Sequence, residues 1–108
     1  FRHLTWSSSL VKRFHDVLSY NLSDSQDASY RWTMVHEPES DRNSIESQMD
    51  VKNNTIGRTK IAPSRYLDGG YENIINDAIY YVDKGLAYRI KNVNGTRTLV
   101  ATDSTEKK

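Results

Sequence analysis

The stretch FRHLTWSSSLVKRFHDVLSYNL, residues 1–22, has the clearest helical pattern in the chain. Its apolar side chains recur every three or four positions, the spacing of one face of an α-helix: Phe1, Leu4, Val11, Phe14, Leu18 and Leu22, with Leu10 and Val17 widening the stripe. We therefore predict one amphipathic helix from residue 1 to about residue 22. On a helical wheel His3 lies inside the apolar arc, so its imidazole is expected in a core or a cleft.

Three more helices are predicted downstream. Ser23 and Gln26 form a capping-box pattern, and Ala28, Trp32 and Val35 then share a face, which predicts a second helix over about 25–37 that ends before Pro38. A third helix follows the polar residues 38–43, has Ile45, Met49 and Ile56 along one apolar edge, and should end before Pro63. The fourth helix has Ile74, Ile75, Ala78, Ile79 and Val82 on its apolar face and stops at Gly85.

The last segment alternates between apolar and polar residues on both sides of Asn94-Gly95, a pair typical of tight β-hairpin turns. Residues 104–108 should form a frayed tail. The predicted fold class is mainly α, with about four helices and a small C-terminal β-hairpin. At 108 residues, the chain fits one domain, 1–108. Because Phe1 opens the chain in mid-helix with no capping residue, we expect an N-terminally truncated fragment of a larger protein.

The amino-acid composition excludes several kinds of functional site and indicates what the core contains. Hydrophobic residues make up 36% and the mean hydropathy is −0.76, so the core should be thin and lean on aromatic side chains. The chain has no cysteine, which excludes disulfides, thiolate zinc sites and a cysteine nucleophile. No apolar run reaches the roughly 18 residues of a transmembrane helix. Net charge is +1, but the first half carries an acidic excess and the second half a basic one, so a polyanion would be drawn to the second half.

Polar residues in unexpected places form three blocks: Arg2-His3, His36-Glu37 and the run from Asp50 to Arg58. In the third block Asp50, Asn54 and Gly57 fall on one helix face, where an acid and an amide could orient a histidine and the glycine leaves room for something to approach the backbone. Two plainer interpretations stay open. His3 could be a hydrogen-bonded core histidine, and the third block a solvated helix face.

The blocks RHxxW (from Arg2), HE (from His36) and MDxxNNxxGR (Met49 to Arg58) resemble a family of bacterial polymorphic-toxin C-terminal domains of the contact-dependent or Rhs type. The resemblance implies a toxin effector domain of bacterial competition, exported as part of a larger toxin, acting inside the target cell and masked by a cognate immunity protein. It covers about residues 1–62. Where that family has a histidine two residues after the aspartate, this chain has Lys52, which removes a third histidine from any mechanism.

Three functions remain open. The first is a hydrolase, a ribonuclease, that needs no metal or other cofactor. His3 and His36 serve as general base and acid, Arg58 steadies the phosphate, and Asp50 or Asn54 orients an imidazole. Further residues expected to bind or orient the substrate RNA are Arg2, Glu37, Asn53, Asn54 and Lys60.

The second is a metal-dependent hydrolase of a phosphate ester, lipid or cell-wall precursor, with His3, His36 and Asp50 holding a divalent metal such as zinc and Glu37 as the base. The third is a non-enzymatic binding or membrane-perturbing module in which the same residues form a polar core network. The most useful observation is whether His3, His36 and Asp50 come within about 3 to 6 Å of one another, the range for direct or water-mediated cooperation. Folded but inactive variants of these residues would favour an enzyme.

Overall fold

The computed structural model describes residues 2–35, 44–67 and 69–102. Its elements, in chain order, are α1 (Arg2–Leu18), α2 (Leu22–Val35), α3 (Ile45–Ile56), a π-helical turn (Gly57–Ile61), α4 (Ala62–Arg65), α5 (Glu72–Asp83), β1 (Tyr88–Val93) and β2 (Thr96–Ala101). The π turn joins α3 to α4 without a break, so this part of the chain forms four helical rods and an antiparallel hairpin. The predicted fold class is confirmed.

The first helix is shorter than predicted. It ends at Leu18 because Ser19 adopts a left-handed backbone conformation, with φ at 58°, and the Ser19 N–H donates to the His15 carbonyl at 3.0 Å. Asn21, rather than Ser23, caps the second helix, since its Oδ1 accepts from the Asp24 N–H at 2.7 Å. The apolar stripe therefore crosses a break between two helices.

The helix end predicted before Pro63 was also wrong, because the rod continues through this proline to Arg65. In the π turn the Ala62 N–H donates to the Gly57 carbonyl, five residues back. The same pattern would join Pro63 to the Arg58 carbonyl, but proline has no N–H. The Gln26 side-chain amide donates to that carbonyl instead, at 3.0 Å. A side chain of α2 thus satisfies the acceptor that the proline leaves open.

The second helix packs with a different face from the predicted one. Trp32 and Val35 are 47% and 77% exposed, whereas its buried residues are Ser25, Ser29 and Thr33. The Ser29 hydroxyl donates to the Ser7 carbonyl of α1 at 3.0 Å. Apolar periodicity did not find this interface because small hydroxyl side chains form it.

Gly57 lies where α1 crosses the third rod. A Cβ atom there would collide with the Leu4 carbonyl oxygen and the Ser7 hydroxyl, and would lie 2.8 Å from Ser8 Oγ. The Ser8 hydroxyl donates to the Gly57 carbonyl at 2.9 Å. The space that the sequence suggested beside Gly57 is therefore filled by helix α1.

The core lies between α1, the π turn, α5 and the start of the hairpin. Its buried cluster is aliphatic: Leu4, Ile61, Ile74, Ala78, Val82 and Ala87. Tyr81 packs against this cluster while only partly buried. Several other aromatic residues, including Tyr30 and Trp32, are nearly half exposed. The core was expected to be thin and to lean on aromatic side chains. Its fully buried cluster is aliphatic instead, and Tyr81 only packs against it.

The end of α5 and the hairpin follow their local sequence signals. Gly85 has φ of 72°, and the N–H groups of Gly85 and Leu86 donate to the carbonyls of Val82 and Tyr81, which is a Schellman C-cap. Asn94 and Gly95 have φ of 53° and 82°, the conformation of a type I′ turn. Both predictions are confirmed. Throughout the described ranges, every helix is too short or too polar to span a bilayer.

Candidate active site

His3 and Asp50 form the centre of the candidate site. His3 stands in the first turn of α1 and Asp50 in the middle of α3, and their Nδ1 and Oδ1 atoms are 3.4 Å apart. Their side chains are 16% and 19% exposed. The Trp6 ring meets the imidazole edge-on, with centroids 5.7 Å apart. A carboxylate at Nδ1 fixes the orientation of the imidazole and favours the tautomer that carries its proton on Nδ1. Of the three residues His3, His36 and Asp50, the structure brings His3 and Asp50 together, and His36 lies outside the described residues.

This pair opens into a cleft of about 390 Å³. The cleft is lined by Arg2 and His3 from α1, Met49, Asp50 and Asn53 from α3, Val82 from α5, Tyr88 and Arg89 from β1, and Thr102. Two arginines therefore flank a partly buried histidine and aspartate. This combination can attract an anionic group, stabilise negative charge that develops on it, and move a proton beside it.

Asn53 attaches the hairpin to the cleft. Its Nδ2 donates to the Tyr88 carbonyl and its Oδ1 accepts from the Tyr88 N–H, each at 2.9 Å. The side chain thus pairs with the backbone of β1 as a neighbouring strand would. Arg89 follows directly, so Asn53 holds in place the strand that brings this arginine to the cleft.

Asn54 lies elsewhere, at 5% exposure in the packed side of α3. Its Oδ1 is buried without a hydrogen-bond partner in the portion of the chain that the structure describes, and it is not among the residues that line the cleft. The sequence assigned an orienting role to Asn54 beside Asp50. In the structure Asn53 is the asparagine that reaches the cleft.

Arg58, the predicted phosphate-binding residue, lines a second cleft of about 360 Å³ together with residues of α2. Its guanidinium lies over the Tyr30 ring, 4.9 Å from the centroid. Burial lowers the pKa of Arg58, and Tyr30 acts in the opposite direction. Lys60 is exposed two residues further along and lines neither of the two clefts. The structure does not bring Arg58 or Lys60 together with His3.

His36 and Glu37 lie outside the described residues, so their predicted roles stay predictions. The same holds for the alternative metal set of His3, His36 and Asp50. Between residues 2 and 102, leaving aside 36–43 and 68, no group of three or more histidine or acidic side chains could hold a metal ion.

Sequence reasoning missed Tyr88, Arg89 and Thr102. Arg89 is the second residue of a short strand. Nothing in its local sequence distinguishes it from an ordinary surface arginine. Lys52, which stands where the resembling family has a histidine, lies over the Tyr88 ring with its Nζ 5.2 Å from the centroid. This lysine therefore adds positive charge beside a residue that lines the cleft.

Together, the rods and the hairpin define a mainly α domain with a partly buried histidine–aspartate pair in a cationic cleft. Residues 1–83 match the family described as a domain of unknown function, DUF6973. The chain belongs to this family. The matched part contains His3, Asp50 and Asn53 and ends with α5, so the hairpin lies beyond it. No curated protein and no solved structure matches the chain.

Proposed function

We propose that this chain is the effector domain of a bacterial competition toxin and that it cleaves RNA by general acid–base catalysis. The observation that carries the proposal is the 3.4 Å approach of His3 to Asp50 in a cleft that also contains Arg2 and Arg89. Two of the three sequence blocks that resemble toxin domains contribute to this cleft. The resemblance is the support for export within a larger toxin and for a cognate immunity protein.

In the proposed reaction His3 Nε2 takes the proton of a 2′-hydroxyl, and the 2′-oxygen attacks the adjacent phosphorus. The bond from phosphorus to the 5′-oxygen breaks, leaving a 2′,3′-cyclic phosphate, and the 5′-oxygen takes up a proton from a general acid. His36 is the sequence-based candidate for that acid. Asp50 stabilises the imidazolium that forms on His3. Arg2 and Arg89 stabilise the charge of the pentacoordinate phosphorus.

The test is incubation of the purified protein with total RNA in the presence of EDTA, with His3→Ala as the inactive variant. His15→Gln is the matched control, because His15 stands on the same helix but does not line the cleft. We expect cleavage by the wild type and by His15→Gln, and a rate about 10²–10⁴-fold lower for His3→Ala. Absence of fragmentation, or equal fragmentation by His3→Ala, would refute the proposal. Activity that EDTA abolishes and zinc restores would favour the metal-dependent hydrolase.

A binding function is the second candidate, and a specific surface favours it. An apolar groove of about 250 Å³ runs between α1 and α2, lined by Leu10, Phe14, Val17, Leu18 and Trp32, with Arg13 at its edge. Exposed apolar patches of this kind occur at protein and membrane contacts. If toxicity in cells survives in a folded His3→Ala variant and is lost in Trp32→Ser, the binding function replaces the enzymatic one.

A further inference from the structure

The hairpin carries more positive charge than the proposed reaction uses, because Lys91 and Arg97 do not line the cleft that contains Arg89. Between Tyr88 and Ala101 its charged residues are Arg89, Lys91 and Arg97, and it contains no acidic side chain. The three cations do not share one face. Side chains alternate along a strand, so Arg89 and Lys91 point to the same side of β1. The register pairs Asn92 with Arg97, which places Arg97 on the opposite side.

The face with Arg97 is already occupied by the protein. Arg97 forms an ion pair with Glu46 in the first turn of α3. The pKa of Glu46 is lowered, first by a backbone hydrogen bond and next by the hydrogen bond from Arg97. This contact joins the outer strand to the third rod. Arg97 therefore has a structural partner on that side of the hairpin.

The face of the hairpin that carries Arg89 and Lys91 extends from the cleft towards the turn. Arg89 lines the cleft beside His3 and Asp50, and Lys91 follows two residues along, roughly 7 Å further at the rise of an extended strand. Thr98 is the cross-strand partner of Lys91, and both residues are exposed. A line of cationic and hydroxyl groups thus runs from the candidate catalytic centre to the turn of the hairpin.

From this arrangement we infer that the Arg89 and Lys91 face of the hairpin binds the phosphate backbone of the single-stranded RNA that extends beyond the cleaved bond. The inference rests on the proposed function, and it names the surface along which the substrate extends from the cleft. Cationic grooves that follow the backbone, combined with nearby aromatic rings, are the usual means of binding single strands. On this face Arg89 and Lys91 supply the cationic groups of such a groove.

The experiment measures binding without cleavage. The probe is a fluorescently labelled 2′-O-methyl RNA of about 12 nucleotides, a length within the usual site size for single strands. It lacks the 2′-hydroxyl that the proposed reaction needs. Fluorescence anisotropy titrations at several KCl concentrations give the slope of log K against log[salt]. Each phosphate contact to a single strand contributes about 0.7 to that slope.

Lys91→Gln should reduce the slope by about 0.7 and weaken binding most strongly at low salt. Arg97→Gln is the matched control, since it removes the same charge from the opposite face of the same hairpin. It should leave the slope unchanged. Equal loss in both variants, no loss in Lys91→Gln, or no binding by the wild type would each overturn the inference. Cleavage of ordinary RNA is measured separately, so its failure alone would refute the proposed function and not this binding face.

Discussion

Replacing Gly57 by alanine tests the packing that holds α1 against the third rod. Gly57 has φ of −58° and ψ of −47°, an ordinary helical conformation that alanine adopts readily. The backbone therefore does not require glycine there. What requires it is the approach of α1, because a Cβ atom would collide with the Leu4 carbonyl oxygen and the Ser7 hydroxyl. The hydroxyl can rotate away, but the carbonyl moves only if the helix moves.

The magnitude follows from three contributions. Overpacking a close contact costs about 1–3 kcal/mol. Separating the helices also weakens the hydrogen bond from Ser8 to the Gly57 carbonyl, worth about 1 kcal/mol. Alanine recovers about 1 kcal/mol through its higher helix propensity. We expect a net loss of about 1–3 kcal/mol in the free energy of unfolding, and a fall of about 4–8 °C in Tm for each kcal/mol.

Urea unfolding followed by far-ultraviolet circular dichroism measures this loss. Gly70→Ala is the matched control, because a Cβ atom there would meet nothing within 4 Å and the stability should change by less than about 0.5 kcal/mol. A Gly57→Ala protein as stable as the wild type, or more stable, would show that the two helices do not cross as closely as described.

Two further predictions concern single hydrogen-bonding side chains. Asn53→Ala removes both hydrogen bonds to the Tyr88 backbone and should destabilise the protein by about 2 kcal/mol, with faster amide exchange at Tyr88, whereas the exposed Asn92→Ala should change neither quantity. Gln26→Ala should cost about 1 kcal/mol by leaving open the carbonyl that Pro63 cannot bond. That cost should shrink when Pro63→Ala supplies an N–H, and purely additive effects in this double-mutant cycle would contradict the interpretation of the π turn.

Local signals in the sequence predicted those parts of the fold whose causes are local. Asparagine and glycine adopt left-handed backbone readily, and the turn and the helix end, which need that conformation, occur at Asn94-Gly95 and Gly85. The helix boundary at Ser19 could not be predicted in the same way, because serine is not a typical left-handed residue. The contact between α1 and α2 was missed for another reason. It is formed by serines such as Ser29, which resemble a solvated face when only hydrophobicity is considered.

The candidate site was predictable in part, because helical periodicity assigns side chains to faces of α1 and α3. The helical wheel placed His3 inside the apolar arc of α1, and in the structure its side chain is only 16% exposed. It could not show which side of α1 the cleft would occupy. Helix α1 packs across Gly57, and on a regular wheel Asn53 lies about 60° to one side of Asp50 and Arg58 about 80° to the other. The cleft opens on the Asn53 side, so Arg58 faces α2. The strand that supplies Arg89 meets the cleft only through tertiary packing.

The proposed function requires His3 and Asp50 to act as one catalytic unit on RNA. A double-mutant cycle of the cleavage rate tests it most directly, using His3→Ala, Asp50→Ala and the double variant, each first shown to be folded by circular dichroism. If Asp50 acts through the imidazole, its removal should add almost nothing once His3 is absent, so the double variant should cleave about as slowly as His3→Ala alone. Rate losses that multiply in the double variant, or an Asp50→Ala protein with the wild-type rate, would contradict the account.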